Sequence, residues 1–477
     1  MPPSSDSFDL VVIGAGPAGE KAAAHAAYFG RRVAVVERSD RLGGVVVNSG
    51  GVPTKTLRET ALFVTGFRKR DIYGVSLQLD RSRALAVLHE RTDRVMAEME
   101  GHVRQNLHRH GVEVIHGRAH LAGSGHVAVS TDGSERLLEA PAVVVATGSR
   151  PVHPPGIPFD DLAVFDSDEL LAGVGDMESM VVIGGGAIGC EYASILTALG
   201  VGVTLVNAAP TLLPVLDSEM SSLLCETFQS MGMRLCLGTR VAGVERDGAH
   251  IVVTLSGGER IGADRLLVAV GRAGNTEGLG LEEAGVELTD HGLIRVDAKQ
   301  RTTAPGIYAA GDVTGPPALA SAAAEEGRRA ASSALRTPLH EAESYRSPVG
   351  VYTVPEVAGY GLTESEAVAQ GIDHIVGRAR FADNSRANIA GSTEGMVKLV
   401  CGRDGRLLGV HILGDIAAEL VHIGQALVEH GGRVDYLLHA TFNVPTWSDA
   451  YGYAAFDALR QLEGSTPPWL QAGSEAG

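Results

Sequence analysis

The sequence predicts an α/β fold: two Rossmann-like dinucleotide-binding domains followed by a C-terminal α+β domain. Three observations predict it. Leu10–Glu37 reads LVVIGAGPAGEKAAAHAAYFGRRVAVVE, and Met180–Asn207 repeats its pattern as MVVIGGGAIGCEYASILTALGVGVTLVN. Each copy is an apolar strand, a GxGxxG turn, an Ala-rich helical stretch and a second β-branched strand, which is the fingerprint of a dinucleotide site. From about Pro348 the pattern changes to short apolar runs, VKLVC and LLGVHIL, separated by helical stretches, as expected of an α+β unit.

Each glycine of the repeat has a physical reason. Gly14 and Gly184 permit the tight turn after the strand. Gly16 and Gly186 let a pyrophosphate approach the backbone, and Gly19 and Gly189 let helix and strand pack closely. The phosphates then meet the free N–H groups and positive end of a helix. One GxGxxG is weak evidence; two copies in register are strong. The copies differ where the second strand ends. Glu37 offers a carboxylate to a ribose hydroxyl pair. Asn207 can hydrogen-bond a 2′-hydroxyl without repelling a 2′-phosphate, although Ala208, Ala209 and Pro210 bring no cation. Turn propensity alone would also place an asparagine there to end the strand.

Further signals lie between and after the copies. Val143–Pro151, VVVATGSRP, reads as a buried strand, a turn and an exit toward the second domain. Leu266–Arg272, LLVAVGR, is a similar strand and turn leading back. Ile307–Val313, IYAAGDV, sets Asp312 at the end of a short strand, and the Ala-rich stretch after Pro317 should be helical.

Composition narrows the function. A length of 477 residues allows several domains. The net charge of -17 argues against a nucleic-acid partner. Cys190, Cys225, Cys236 and Cys401 form no CxxC pair, so they read as reduced thiols of a cytoplasmic protein rather than zinc ligands or a disulfide scaffold. MPPSSDS has no signal pattern and no apolar run is long enough to span a bilayer. Both ends, including the tail from Gly464, are expected to be mobile.

The motifs GxGxxG…Glu37, ATGSRP, GGGAIGCEYAS, VGRAGNTEGLGLE, AAGDV and YTVPEVAGYGLTE resemble those of the flavoprotein pyridine nucleotide-disulfide oxidoreductases, over nearly the whole chain. NSGGVPTKTLRETALFVTG, LASAAAEEGRRAA and FNVPTWSDAY most resemble the soluble transhydrogenases of that family. The resemblance implies FAD held by residues 1–150 with 275–345, NADH or NADPH held by 151–274, and a dimerisation domain over 346–477. It assigns FAD to Gly14, Gly16, Gly19, Glu37, Thr147, Gly148, Asp312 and Ala320, where a helix N-terminus faces the flavin pyrimidine. It assigns the nicotinamide nucleotide to Gly184, Gly186, Gly189, Asn207 and Gly271. Lys55 matches the lysine beside flavin N5, and Glu191 its carboxylate partner. A homodimer is implied, each C-terminal domain reaching the other subunit's flavin.

The departures are as informative. The family's disulfide enzymes carry GG-x-C-x-N-x-G-C-x-P-[ST]-K, but Gly43–Lys55 reads GGVVVNSGGVPTK, with Val46 and Gly51 at the cysteine places. Neither can supply the thiolate that disulfide exchange needs. Their late His-Pro-Thr…Glu motif is here Val444-Pro445-Thr446 with Asp449, and valine has no exchangeable proton. His439 reads as solvent-facing. Hydride transfer from nicotinamide to flavin needs no thiol. The first reading is therefore hydride return to a second NAD(P)+. The alternative is transfer to a quinone or another small acceptor not identified by the sequence, or a specialised small-molecule flavin oxidoreductase whose substrate uses the space left by the missing disulfide; the remaining reading is a flavin-binding protein without turnover, disfavoured by Lys55, Glu191 and both Gly-rich turns.

Overall fold

A computed structural model of the chain describes residues 6–66, 81–123, 125–131, 133–160, 162–170, 177–248, 250–339 and 346–461, with side chains from residue 87 in the second range. Residues 1–5 and the tail from Gly464, whose mobility the sequence suggests, lie outside these ranges.

The repeat extends beyond the two fingerprints. The first copy supplies Leu10–Ile13 and Val33–Glu37 to a five-stranded parallel sheet ordered Ile307–Ala309, Val143–Val145, Leu10–Ile13, Val33–Glu37, Glu113–His116. The second supplies Ser179–Ile183 and Gly202–Asn207 to a sheet ordered Val164–Asp166, Arg265–Val268, Ser179–Ile183, Gly202–Asn207, Arg234–Leu237. The two sheets match strand for strand, except that the outer strand Val164–Asp166 precedes its fingerprint while Ile307–Ala309 follows its own. Runs such as LVVI are buried at every position, because helices cover both faces of a parallel sheet. Each sheet also carries a three-stranded antiparallel partner, Arg118–Glu139 in the first and Val241–Ala263 in the second.

Small residues bring the first fingerprint helix, Pro17–Tyr28, against the helix Ala320–Leu335. A Cβ at Gly327 would lie 2.0 Å from the Ala18 carbonyl oxygen, so only glycine permits this approach. The second of these helices starts at Ala320, shortly after Pro317 as expected. Asp312 departs slightly from expectation. It opens a short 3₁₀ turn, Asp312–Thr314, three residues after its strand ends at Ala309, because Gly311 at φ 82 turns the chain out of the sheet first.

Residues 349–414 form an antiparallel sheet ordered Val349–Val351, Glu356–Gly361, Leu407–Gly414, Met396–Gly402, His374–Arg380. Helices Ala417–Glu429 and Ala450–Arg460 pack on it. A buried ionic cluster ties this sheet to the second nucleotide unit. Lys398, 1% exposed, reaches Asp217 at 2.8 Å, Glu364 at 2.6 Å and Glu219 at 3.0 Å. Asp217, fully buried, caps the helix Ser218–Ser230 by accepting from the Glu219 N–H. Burial pushes the Asp217 carboxyl up, but the Lys398 hydrogen bond and nearby positive charge outweigh it and hold it below the usual carboxylate range. Beside it, burial lowers the affinity of His411 for a proton.

Lys398→Met should therefore destabilise the protein by about 3–5 kcal/mol, because a buried carboxylate loses its cation; urea unfolding measures this, and Asp217→Asn in the same chain should recover part of the loss. Both His411 and Asp217 bind protons less readily folded than unfolded. The unfolded chain thus takes up protons first as pH falls below about 6.5 for the histidine and about 4 for the carboxylate. Stability should decline on acidification through those two windows, and His411→Gln should shrink the first decline to the part that His25, also lowered by burial, contributes.

Candidate functional site

The two glycine turns are built alike. Gly14 has φ 104 and Gly184 φ 116, and a Cβ would meet the Ala146 oxygen at 2.4 Å or the Ala269 oxygen at 2.2 Å. At Gly19 and Gly189 a Cβ would lie 1.9 Å from the carbonyl oxygen of Gly14 or Gly184. These four positions are glycine because backbone already fills the space. The middle glycines differ. A Cβ on Gly186 meets nothing within 4 Å, and one on Gly16 meets only the Gly44 Cα at 3.8 Å. Both are N-caps of their helices without any side-chain cap, so open room coincides with free N–H groups. The residues present thus fit a pyrophosphate at each turn.

Glu37 and Asn207 hold the turns from equivalent places. Glu37 accepts from the Ala15 N–H at 2.8 Å and from the Ser39 N–H at 2.9 Å. Asn207 accepts from the Gly185 N–H at 3.0 Å, and its amide donates to the carbonyls of Ala209 at 3.2 Å and Thr211 at 2.8 Å. Asparagine can do this because it both donates and accepts. It shapes the following loop as well as the turn, which is more than ending a strand.

The crossings between the two units form a second network. Thr147 donates its hydroxyl to the Asn275 carbonyl at 2.7 Å, Asn275 donates back to the Thr147 carbonyl at 2.9 Å, and the Asn275 N–H reaches the Gly148 carbonyl at 2.9 Å. Asp312 accepts from the Ser149 hydroxyl at 2.6 Å, and Ser149 accepts from Arg272 Nε at 2.9 Å. Arg272 continues to Asp168 at 2.9 and 3.2 Å. Gly271, at φ 135, accepts from the Val152 N–H at 3.0 Å. Ser149, Arg272, Asp168 and Asn275 were not singled out from the sequence, although ATGSRP, LLVAVGR and VGRAGN contain three of them. Ala320 is exposed at the uncapped start of its helix.

Lys55 and Glu191 meet although 136 residues separate them. Lys55 sits on the helix Val52–Thr65 and Glu191 on the second fingerprint helix, Ala187–Ala198. The ammonium lies 2.7 Å from Glu191 Oε2, with side-chain exposures of 31% and 7%. The second carboxylate oxygen of Glu191 accepts from the Tyr352 N–H at 2.9 Å. A nearly buried carboxylate is thus matched by one charge and one main-chain donor.

No sulfur stands between Gly43 and Lys55. A Cβ on Gly51 would lie 2.6 Å from the Val46 carbonyl oxygen and 2.9 Å from its Cα, so the chain is closed up at these two positions. Burial pushes the thiols of Cys190 and Cys225 up, and that of Cys401 up to about 12. Val444 is 62% exposed and the peptide bond to Pro445 is cis. His439 is exposed, as expected.

A model of the pyridine nucleotide-disulphide oxidoreductase family matches residues 8–327, and its dimerisation-domain model matches residues 347–455. The chain belongs to this family. Membership implies FAD and NAD(P)H as its cofactors. Among relatives, a soluble pyridine nucleotide transhydrogenase of Mycobacterium tuberculosis is 41% identical over 95% of this chain and 98% of that one. One of Erwinia tasmaniensis is 38% identical over 96% and 99%. Among solved structures, LpdA of Mycobacterium tuberculosis has TM-score 0.85 and 31% identity, covering 95% of this chain and 100% of its own. The HOCl-induced flavoprotein disulfide reductase RclA of Escherichia coli has TM-score 0.84 and 26% identity over 94% and 99%.

The open space at Gly186 generates a test. Gly186→Val should leave thermal stability nearly unchanged but abolish quenching of NAD(P)H fluorescence on binding. Gly184→Ala should instead lower the melting temperature, since its Cβ has no room.

Proposed function

We propose that the protein is an FAD-dependent NAD(P)H oxidoreductase that passes hydride between pyridine nucleotides, as a soluble transhydrogenase does, without a redox disulfide. One observation carries this reading: the intact Lys55–Glu191 pair beside a Gly43–Lys55 segment that holds no sulfur. Two equivalent glycine turns and the full-length likeness to soluble transhydrogenases support it.

In this reading residues 1–150 with 275–345 bind FAD, residues 151–274 bind NAD(P)H, and residues 346–477 form the dimer interface. When bound, FAD supplies a ring system that exchanges hydride with nicotinamide. The chain supplies position and charge. Gly14, Gly16 and Gly19 bring the first turn to FAD, with Glu37, Thr147, Gly148, Asp312 and Ala320 around it. Gly184, Gly186, Gly189, Asn207 and Gly271 do the same for the nicotinamide nucleotide. Lys55 places a positive charge where the flavin gains electron density, and Glu191 keeps that ammonium aimed. The neutral Asn207 leaves both NADH and NADPH admissible, since no carboxylate opposes a 2′-phosphate there.

A dimer fits the matched dimerisation domain. Tyr436, Val444, Tyr453 and Phe456 of the C-terminal unit are large apolar side chains left exposed, which is consistent with it. No helix of the described residues is long and apolar enough to cross a membrane, and with the acidic charge this supports a cytoplasmic enzyme that binds no nucleic acid.

Purified protein should be yellow, and NADH or NADPH should bleach it anaerobically without a long-wavelength thiolate–flavin band. The reduced protein should then reduce a thio-NAD+ analogue. Bleaching with quinone or dye reduction but no thio-NAD+ reduction would favour a small-acceptor reductase, and absence of bleaching would leave only a binding protein. Glu191→Ala should slow flavin reduction by at least about tenfold while FAD stays bound; equal loss of both would contradict its role.

A further inference from the structure

The strap Tyr352–Glu356 joins the strands Val349–Val351 and Glu356–Gly361 of the C-terminal sheet and bonds to both helices that carry Lys55 and Glu191. Its main chain is held at three points. The Tyr352 N–H donates to Glu191 at 2.9 Å, the Thr353 carbonyl accepts from Arg58 Nε at 2.8 Å, and the Val354 N–H donates to the Ser194 hydroxyl at 3.1 Å. Arg58 belongs to the Lys55 helix and Ser194 to the Glu191 helix. Glu356 completes the tie, 3.3 Å from Arg58 and accepting from the Ala418 N–H at 3.1 Å.

One contact of this strap is made by a side chain and reaches the reacting pair directly. Lys55 Nζ lies over the Tyr352 ring, 4.9 Å from its centroid. The ammonium also donates to Glu191 at 2.7 Å and to the Thr54 hydroxyl at 3.3 Å. Ring, carboxylate and hydroxyl together surround a cation whose side chain is 31% exposed and whose flexible stem would otherwise let it swing into water. Burial, then the charges of Glu356, Glu419 and Glu191, push the Tyr352 hydroxyl up. The phenol is therefore neutral, and what it offers Lys55 is the negative face of its ring.

We propose that Tyr352 is a positioning residue whose ring holds the Lys55 ammonium against Glu191, so that the C-terminal unit sets the geometry of the hydride-transfer pair. This rests on the reading of Lys55 and Glu191 as that pair. The residue acts through Lys55 and touches no substrate in this role. Its N–H survives any substitution except proline, so changing the side chain isolates the ring.

The test is anaerobic stopped-flow reduction of the FAD-loaded full chain by NADPH and by NADH, for the parent, Tyr352→Phe and Tyr352→Leu, each with and without Lys55→Met. Tyr352→Phe should reduce at the parent rate. Tyr352→Leu should lower the limiting rate about tenfold, with FAD retained and the half-saturating nucleotide concentration unchanged. In the Lys55→Met background Tyr352→Leu should cost nothing more, because the ring has no cation left to hold. Tyr352→Met, of similar bulk, replaces the leucine variant if that one fails to retain FAD and should behave as it was expected to. Additive losses, a slow phenylalanine variant, or an unslowed leucine variant while the parent is reduced would each overturn the proposal alone. A parent chain that neither nucleotide reduces would overturn the functional reading and this proposal with it.

Discussion

A carboxylate taken out of water must be matched, and Glu191 is matched by two partners from distant parts of the chain. It projects from the second fingerprint helix, receives the Lys55 ammonium from a helix of the first nucleotide unit, and receives the Tyr352 N–H from the strap between two strands of the C-terminal sheet. Losing either partner leaves a nearly buried negative charge short of a donor. The relative placement of all three units is thus written into one side chain, and the electrostatics of the site follow from that placement. Arg58 and Ser194 repeat the tie with main-chain bonds on either side of it, and Lys398 anchors the second unit to the C-terminal sheet elsewhere.

With the units fixed, the glycine turns decide what approaches. Backbone crowding makes four of their glycines obligatory, while the middle glycine of each turn faces open room beside an uncapped helix start. The same geometry recurs at both turns, and Glu37 and Asn207 differ in charge and in the donors that only the amide brings. Beside this repeated construction stands the closed-up Val46–Gly51 contact. The Gly43–Lys55 segment holds no sulfur, and the thiols of Cys190 and Cys401 are buried and held protonated.

Much of this was legible in the sequence because the signals are local. Strand, turn and helix of each fingerprint lie within thirty or so residues, and so do the helix after Pro317 and the loss of cysteine between Gly43 and Lys55. The Lys55–Glu191 pairing came from resemblance, and geometry brings the two together. What stayed hidden pairs residues far apart in the chain. Ser149 meets Asp312 across 163 residues, and Lys398 meets Asp217 across 181. Neither periodicity nor turn chemistry encodes such meetings. Asn207 was half legible: its neutrality could be read directly, but its grip on Gly185, Ala209 and Thr211 depends on how the loop folds back. Asp312 was placed at a strand end, and the positive φ of Gly311 instead turns it into a 3₁₀ segment where Ser149 can reach it.

The central claim is that hydride passes between nucleotides with no sulfur in its path. A chain in which Cys190 and Cys401 are alanine and Cys225 and Cys236 are serine tests it most directly. Provided that this variant binds FAD, its anaerobic turnover from NADPH to thio-NAD+ should match that of the parent within about twofold. Turnover that disappears when the thiols are removed, while FAD remains bound, would contradict the account.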